Sequence, residues 1–160
     1  MITLEAVSEP MSPENIEIQT SMMNSQPSYN LVVMGKALLT SEEILEENTN
    51  NFESGEKMFY IRKHDENIGI VTYLLRNPHD NYTWIGLLII HKDHEGHGIG
   101  REAVELIESK LRQENVDKVR LCVQKENESG ALFWGKNEYV IVNSSIDHRG
   151  NPIDIYEKKL

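Results

Sequence analysis

TWIGLLIIHKDHEGHGIGREAVELIESKL, residues 83–111, is the stretch on which the reading of this chain turns. The apolar run from Trp84 to Ile90 stops at His91, a polar turn with alternating glycines follows, and helical periodicity begins at about Gly98. Strand, glycine turn and helix in this order leave unpaired backbone N–H groups at the positive end of a helix dipole. Phosphate is the natural ligand of such a terminus. The unit is expected to hold a pyrophosphate-bearing cofactor, with the rest of the chain arranging a second substrate beside it.

Gly96, Gly98 and Gly100 alternate in EGHGIG. Without Cβ atoms they admit a close ligand and a positive φ. Gly98 to Ala103 also fits G-x-G-x-x-[GA], the weak form of a dinucleotide fingerprint. That site wants its motif in an opening βαβ unit, whereas an antiparallel meander is read ahead of it here, so a nicotinamide-type dinucleotide is disfavoured. No Gly-Lys-Ser/Thr follows, which excludes a Walker loop. A glycine turn without a ligand is the plain alternative. His91, His94 and His97 fall three apart and invite a metal reading, but His94-Glu95-Gly96-His97 is one residue short of HExxH and no cysteine stands nearby. No metal is expected.

A chain of 160 residues with 39% hydrophobic and 26% charged residues is one ordinary globular domain. No apolar run reaches the roughly 20 residues of a membrane span. MITLEAVSEP lacks a basic segment followed by an apolar one, so neither membrane nor export is expected. The one cysteine, Cys122, cannot pair within the chain and fits a reducing cytoplasm. Set in the apolar LCV, it reads as a small core residue. The net charge of −10 argues against nucleic acid. Met1 to Glu56 holds ten Glu, no Asp or Arg, and a single lysine, Lys36, a net of −9. Solvated helix faces would account for this; the functional reading is an acidic rim that steers a cationic amine.

In chain order, Ile2 to Val7 reads as a first strand. Ser12-Pro13-Glu14-Asn15 opens a helix with Ser12 as cap and Pro13 at the first helical position. Ser25 to Asn30 is loop-like, Leu31 to Leu39 is ambiguous between strand and helix, and Thr40-Ser41-Glu42-Glu43 starts a short helix. Met58 to Arg62, Asn67 to Leu75 and the strand ending at Ile90 form a meander with short turns. After Gly98, Val104, Ile107 and Leu111 recur on one helical face, with Arg101, Glu105, Glu108 and Arg112 on the other. Val119 to Val123 is a strand, Ser129 to Lys136 a helix, and Tyr139 to Asn143 and Ile153 to Tyr156 are closing strands. The architecture is α+β.

The loop HKDHEGHGIGREAVELIE closely resembles the acetyl-CoA loop of the GNAT superfamily of N-acetyltransferases, whose pattern is Arg or Gln, two residues, then Gly-x-Gly or Gly-x-Ala. A second family signature is matched downstream by Leu121, Val123, Asn127 and then Phe133-Trp134-Gly135-Lys136-Asn137-Glu138-Tyr139. The order of elements is similar over about residues 2 to 159. The resemblance implies a single GNAT-like domain over residues 1–160, with a mixed, mostly antiparallel central sheet and helices on both faces. Within it, residues 10–56 would be the acceptor-side helices and loop, and residues 82–136 the acetyl-CoA-binding core.

By position, the resemblance implies that the backbone of Leu88, Ile89 and Ile90 pairs with the pantetheine arm. The turn of Glu95, Gly96, His97, Gly98, Ile99, Gly100 and Arg101 would hold the pyrophosphate on its amides. Asn127 would contact the pantetheine or order the loop below it, and Phe133 and Trp134 would flank the thioester. The implied chemistry is direct attack of an uncharged primary amine on the acetyl carbonyl. Proximity and an oxyanion donor, the N–H of Ile90 or a neighbour, would supply most of the rate.

Three positions depart from the pattern. Glu95 stands where the family has Arg or Gln, and a carboxylate repels a pyrophosphate, though Arg101 can compensate. Trp134 takes the place of a frequent Tyr that protonates the thiolate, and indole N–H is no usable acid. Glu138 replaces a usual Gly. The base carboxylate of the histone-acetylating branch is matched by Trp84, so the candidates for relaying a proton are His91, Asp80 and Tyr60, with bulk water as a further base.

The expected activity is acetyl transfer from acetyl-CoA to a primary amine, on a cationic small molecule or a peptide. A non-catalytic acyl-CoA-binding or sensor module is the rival reading. Acidity at residues 10–56 favours a polyamine, an aminoglycoside or a lysine side chain as acceptor. A homodimer through sheet edges near Tyr139 to Tyr156 is left open.

Overall fold

The computed structural model describes all 160 residues. Strands β1 (Ile2–Ala6), β2 (Lys57–Lys63), β3 (Glu66–Leu74), β4 (Thr83–Ile90), β5 (Lys118–Gln124), β6 (Val140–Ile146) and β7 (Pro152–Lys159) form one sheet in the order β1-β2-β3-β4-β5-β7-β6. Helices α1 (Pro13–Asn24), α2 (Pro27–Met34) and α3 (Ser41–Glu53) follow β1; α4 (Ile99–Gln113) and α5 (Glu128–Lys136) flank β5. The mixed, mostly antiparallel sheet with helices on both faces is the architecture expected from sequence.

Strand alternation explains the two-faced core. Phe59 and Ile61 of β2 and Val71 of β3 face one way and pack with Ile99, Val104, Ile107 and Leu111 of α4. Tyr60, Ile70 and Ile89 face the other way, against Ile16, Met22 and Met23 of α1, Leu39, and Ile44 of α3. The caps anticipated for two helices are formed. Ser12 Oγ accepts from Asn15 N at 3.3 Å, and Thr40 and Glu43 exchange a full capping box.

Two irregularities set up the site. β4 and β5 are the sheet's parallel neighbours, and their register pairs just Thr83 with Val119 and Trp84 with Arg120 before the strands part. Between β3 and β4 the register slips: Tyr73 faces Ile85 and Thr72 faces Leu87, leaving Gly86 as the extra residue of a bulge.

Three local expectations are corrected. Residues 27–34 are helical, because Pro27 sits at a first position that needs no N–H and Gly35, at φ 78°, supplies the left-handed stop. Cys122 is exposed: it lies on β5 between the buried Leu121 and Val123, so alternation turns its thiol to the opposite face. Glu108 is buried rather than on the solvent face of α4, since it follows Val104 by one turn at the edge of the apolar stripe.

Candidate active site

The start of α4 has no side-chain cap. Gly98 is its N-cap residue at φ 73°, and Gly96 stands at φ 80°, both left-handed conformations that glycine adopts without strain. The first helical bond runs from Glu102 N to Gly98 O at 3.1 Å. The amides of Ile99, Gly100 and Arg101 therefore lack helical acceptors and point out at the positive end of the dipole. Gly100 is needed for another reason: a Cβ there would meet the Phe133 ring at 2.9 Å, so its absence lets α5 close against α4.

A cleft of about 750 Å³ opens at this terminus, between the end of β4 and the α5 segment that follows β5. Leu88, Ile89, Ile90, Glu95, Gly96, Gly98, Ile99, Gly100, Arg101, Asn127, Phe133 and Trp134 all line it; His97 does not. Asn127 caps α5, its Oδ1 accepting from Gly130 N at 3.0 Å. Phe133 and Trp134 meet edge to face at 5.0 Å, and Trp134 meets Tyr139 in the same way. Lys136, part of the downstream signature, also lines the cleft, as do Gln26 and Tyr29, which carry no sequence signal that would have singled them out.

The β4 edge is presented to this cleft. Gly69 and Ile90 face each other, with His91 N bonded to Ile68 O at 2.8 Å, so antiparallel geometry turns the Ile90 N–H and C=O away from β3. Gln26 Nε2 donates to that carbonyl at 2.8 Å and to Glu95 Oε1 at 2.5 Å. Arg101, the cation expected to offset Glu95, reaches instead toward Glu105 at 3.4 Å.

A second cavity of about 280 Å³ adjoins the first along β4, lined there by Gly86 and Leu87, and Tyr29 lies on the walls of both. Burial and the neighbouring Cys122 push the Tyr29 phenol up to about 12, so it stays a neutral O–H donor. In the second cavity, burial pushes the Glu56 carboxyl up, the adjacent Thr72 hydroxyl pulls it partly back, and Glu47 adds to the rise. Glu56 was missed from sequence because it has no motif around it; its acidic neighbours gave the one hint.

None of the three proton-relay candidates lines either cavity. Asp80 accepts from Trp84 Nε1 at 3.0 Å and from Tyr82 N at 2.9 Å, which ties it to its own turn. His91 Nδ1 accepts from Asp93 N at 3.1 Å. The Tyr60 hydroxyl donates to Asn15 Oδ1 at 2.8 Å inside the core. His94 turns to Glu66 at 3.4 Å, and no group of three metal-ligating side chains forms.

Several solved structures share this fold. An acetyltransferase from Thermus thermophilus superposes with a TM-score of 0.80 at 22% identity, over 100% of this chain and 97% of that one. A spermidine N-acetyltransferase from Vibrio cholerae, solved with CoA and spermine, gives 0.72 at 16% identity, over 99% and 95%. An acetyltransferase from Salmonella typhimurium that modifies the N-terminal serine of a ribosomal protein gives 0.77 at 12% identity, over 99% and 95%. At these identities the likeness speaks for the fold alone. Among curated proteins none matches the chain by sequence. The model of the acetyltransferase (GNAT) family matches residues 24–138, most of the chain and both glycine-turn and cleft elements. The chain belongs to the GNAT acetyltransferase family.

Proposed function

We infer that the protein is an acetyl-CoA-dependent N-acetyltransferase that passes the acetyl group directly to a primary amine. The observation that carries this reading is the parting of β4 from β5 after Trp84 and Arg120, directly below the uncapped start of α4. Pyrophosphate would sit on the amides of Gly98 to Arg101. The pantetheine would add to the outward edge of β4 at Leu88 and Ile90, as an extra strand between two that have separated. The thioester would then lie toward Gly86, where the first cleft meets the second cavity, with main-chain N–H groups of β4 as oxyanion donors. Asn127, Phe133 and Trp134 wall the arm on the other side. Tyr29, a neutral phenol at the junction, takes the donor position toward the departing sulfur that Trp134 cannot fill.

The acceptor would enter through the second cavity, between α1–α3 and the sheet. A cytoplasmic setting, where acetyl-CoA is supplied, belongs to the same reading, as does a homodimer through the outermost strand β6, whose Val140, Ile141 and Ile146 are exposed.

The test is a thermal-shift titration with acetyl-CoA, CoA and NAD on the protein and on Gly98→Trp, followed by an amine panel read by free-thiol release. The expected result is a rise in melting temperature with both CoA forms, none with NAD, and loss of the rise in the variant. Absence of any shift with acetyl-CoA would overturn the reading. A shift with no thiol release for any amine would make the protein an acyl-CoA-binding module instead.

A further inference from the structure

Of the ten glutamates in the acidic first third, two reach the second cavity, Glu47 and Glu56. They are not equivalent. Glu47 is paired with Arg149, which hangs over the cavity from the β6–β7 turn. Asp147, also on the wall, accepts from Arg149 N at 2.9 Å and Asn151 N at 2.8 Å and is spent on its own turn. Glu56 has no cation beside it.

The Glu56 carboxylate leans over the β4 bulge together with Thr72: a Cβ on Gly86 would fall 2.8 Å from Glu56 Oε2 and 2.8 Å from Thr72 Oγ1. Thr72 is 1% exposed, and its hydroxyl lies against the Glu56 carboxylate without a well-formed hydrogen bond to it or to any other group. A buried hydroxyl so poorly satisfied is costly, and here it faces a cavity. One carboxylate without a cation and one poorly satisfied hydroxyl thus converge two residues before Leu88, where the acyl cleft begins. One wall of the cavity is apolar, formed by Met23, Met34, Leu39, Ile44, Met58 and Leu87, and its polar rim carries Arg149 as a cation.

We propose that the second cavity takes a primary amine that bears a single positive charge on an apolar stem, with Glu56 as the base that removes the ammonium proton and Thr72 as the hydroxyl that orients the amine. The proposal rests on acyl transfer in the adjoining cleft. The ammonium gives one proton to Glu56, which passes it to solvent. The freed lone pair forms the N–C bond at the thioester carbonyl, and the C–S bond breaks as the tetrahedral adduct collapses. The second nitrogen proton leaves with the sulfur, giving amide and thiol. A polyamine fits this cavity poorly, because its next ammonium would meet either the apolar wall or Arg149, with Glu47 already paired to that guanidinium and Asp147 held in its own turn.

The experiment compares hexylamine, spermidine and glycine at saturating acetyl-CoA by thiol release, with thermal shift by acetyl-CoA measured in parallel. Hexylamine is expected to exceed both others in kcat/KM by at least about tenfold, the effect of leaving one charge uncompensated. Glu56→Gln is expected to keep the acetyl-CoA shift, to lose about a hundredfold or more in kcat/KM, and to lose the acidic limb of the pH profile. Met34→Glu, a change in the wall that leaves Glu56 in place, is expected to move the preference toward spermidine. Preference for spermidine or glycine, no turnover of hexylamine, or an unchanged pH profile in Glu56→Gln, with the acetyl-CoA shift intact, would overturn the proposal alone. Loss of the acetyl-CoA shift in the unmodified protein would overturn the acyl-transfer reading beneath it.

Discussion

Gln26, at the junction between α1 and α2, donates to the main-chain carbonyl of Ile90 at 2.8 Å. A loop side chain thereby occupies the β4 acceptor that an added pantetheine strand would use. CoA would have to displace this bond, so its removal should favour binding. Gln26→Ala, made in a Glu95→Gln background so that no carboxylate loses its partner, should tighten CoA about fivefold, the value of one hydrogen bond of roughly 1 kcal/mol. Isothermal titration calorimetry measures it. Weaker binding would show that Gln26 holds the cofactor rather than competes with it.

Glu95 places a carboxylate on the wall of the cleft read here as the pyrophosphate site, and the nearest offsetting guanidinium, Arg101, is turned to Glu105. Glu95→Gln should therefore tighten CoA about three- to tenfold at low salt, a gain that shrinks as the Debye length falls to about 8 Å near 0.15 M. Titrations at two ionic strengths decide it. Equal affinities for both proteins at low salt would mean that Glu95 points away from the bound phosphates.

Much of the fold was legible because local chemistry and tertiary packing agree. The caps at Ser12 and Thr40, the meander of β2 to β4 and the apolar stripe of α4 each follow from residue type and spacing. The glycine turn was legible for the same reason, since φ 73° at Gly98 is a conformation that glycine adopts without strain. Glu56, Thr72 and Gln26 were not legible. Glu56 and Thr72 meet over Gly86 through strand register, and Gln26 reaches Ile90 through helix packing, contacts between residues far apart in sequence that no local motif marks. Cys122 misled because an apolar triplet does not reveal which face a strand turns to a cavity.

Glu56 also sets a pH dependence of stability. Its folded-state value is raised, chiefly by burial, so the native protein binds this proton more tightly than the unfolded chain does. The resulting stability is fully present below the carboxyl value of the unfolded chain and is lost as pH rises through the raised native value. Glu56→Gln abolishes the penalty of a buried charge at neutral pH. Its Tm should lie above that of the unmodified protein at pH 7 to 8, and the two should converge near about pH 4, where the carboxyl is protonated in both states. Melting curves across that range test it, and a lower Tm for the variant at pH 7 would mean that Glu56 is held by a favourable partner.

Behind the cleft wall, Tyr139 donates to Glu108 Oε2 at 2.8 Å while Lys158 holds Oε1 at 2.9 Å, and both Tyr139 and Glu108 are buried. Burial and the Glu108 carboxylate keep the phenol far above its usual value, so it remains a donor throughout the working range. Tyr139→Phe preserves the ring on which Trp134 rests at 5.0 Å but leaves one carboxylate oxygen without a partner. The loss should be about 1–3 kcal/mol, and each kcal/mol should lower Tm by about 2–4 °C in a domain of this size. CoA affinity should hold, because the Trp134 side of the cleft keeps its packing. Differential scanning calorimetry and a CoA titration read the two effects separately. An unchanged Tm would show that water enters to satisfy Glu108, and a parallel loss of CoA affinity would show that the hydroxyl, rather than the ring, sets the position of Trp134.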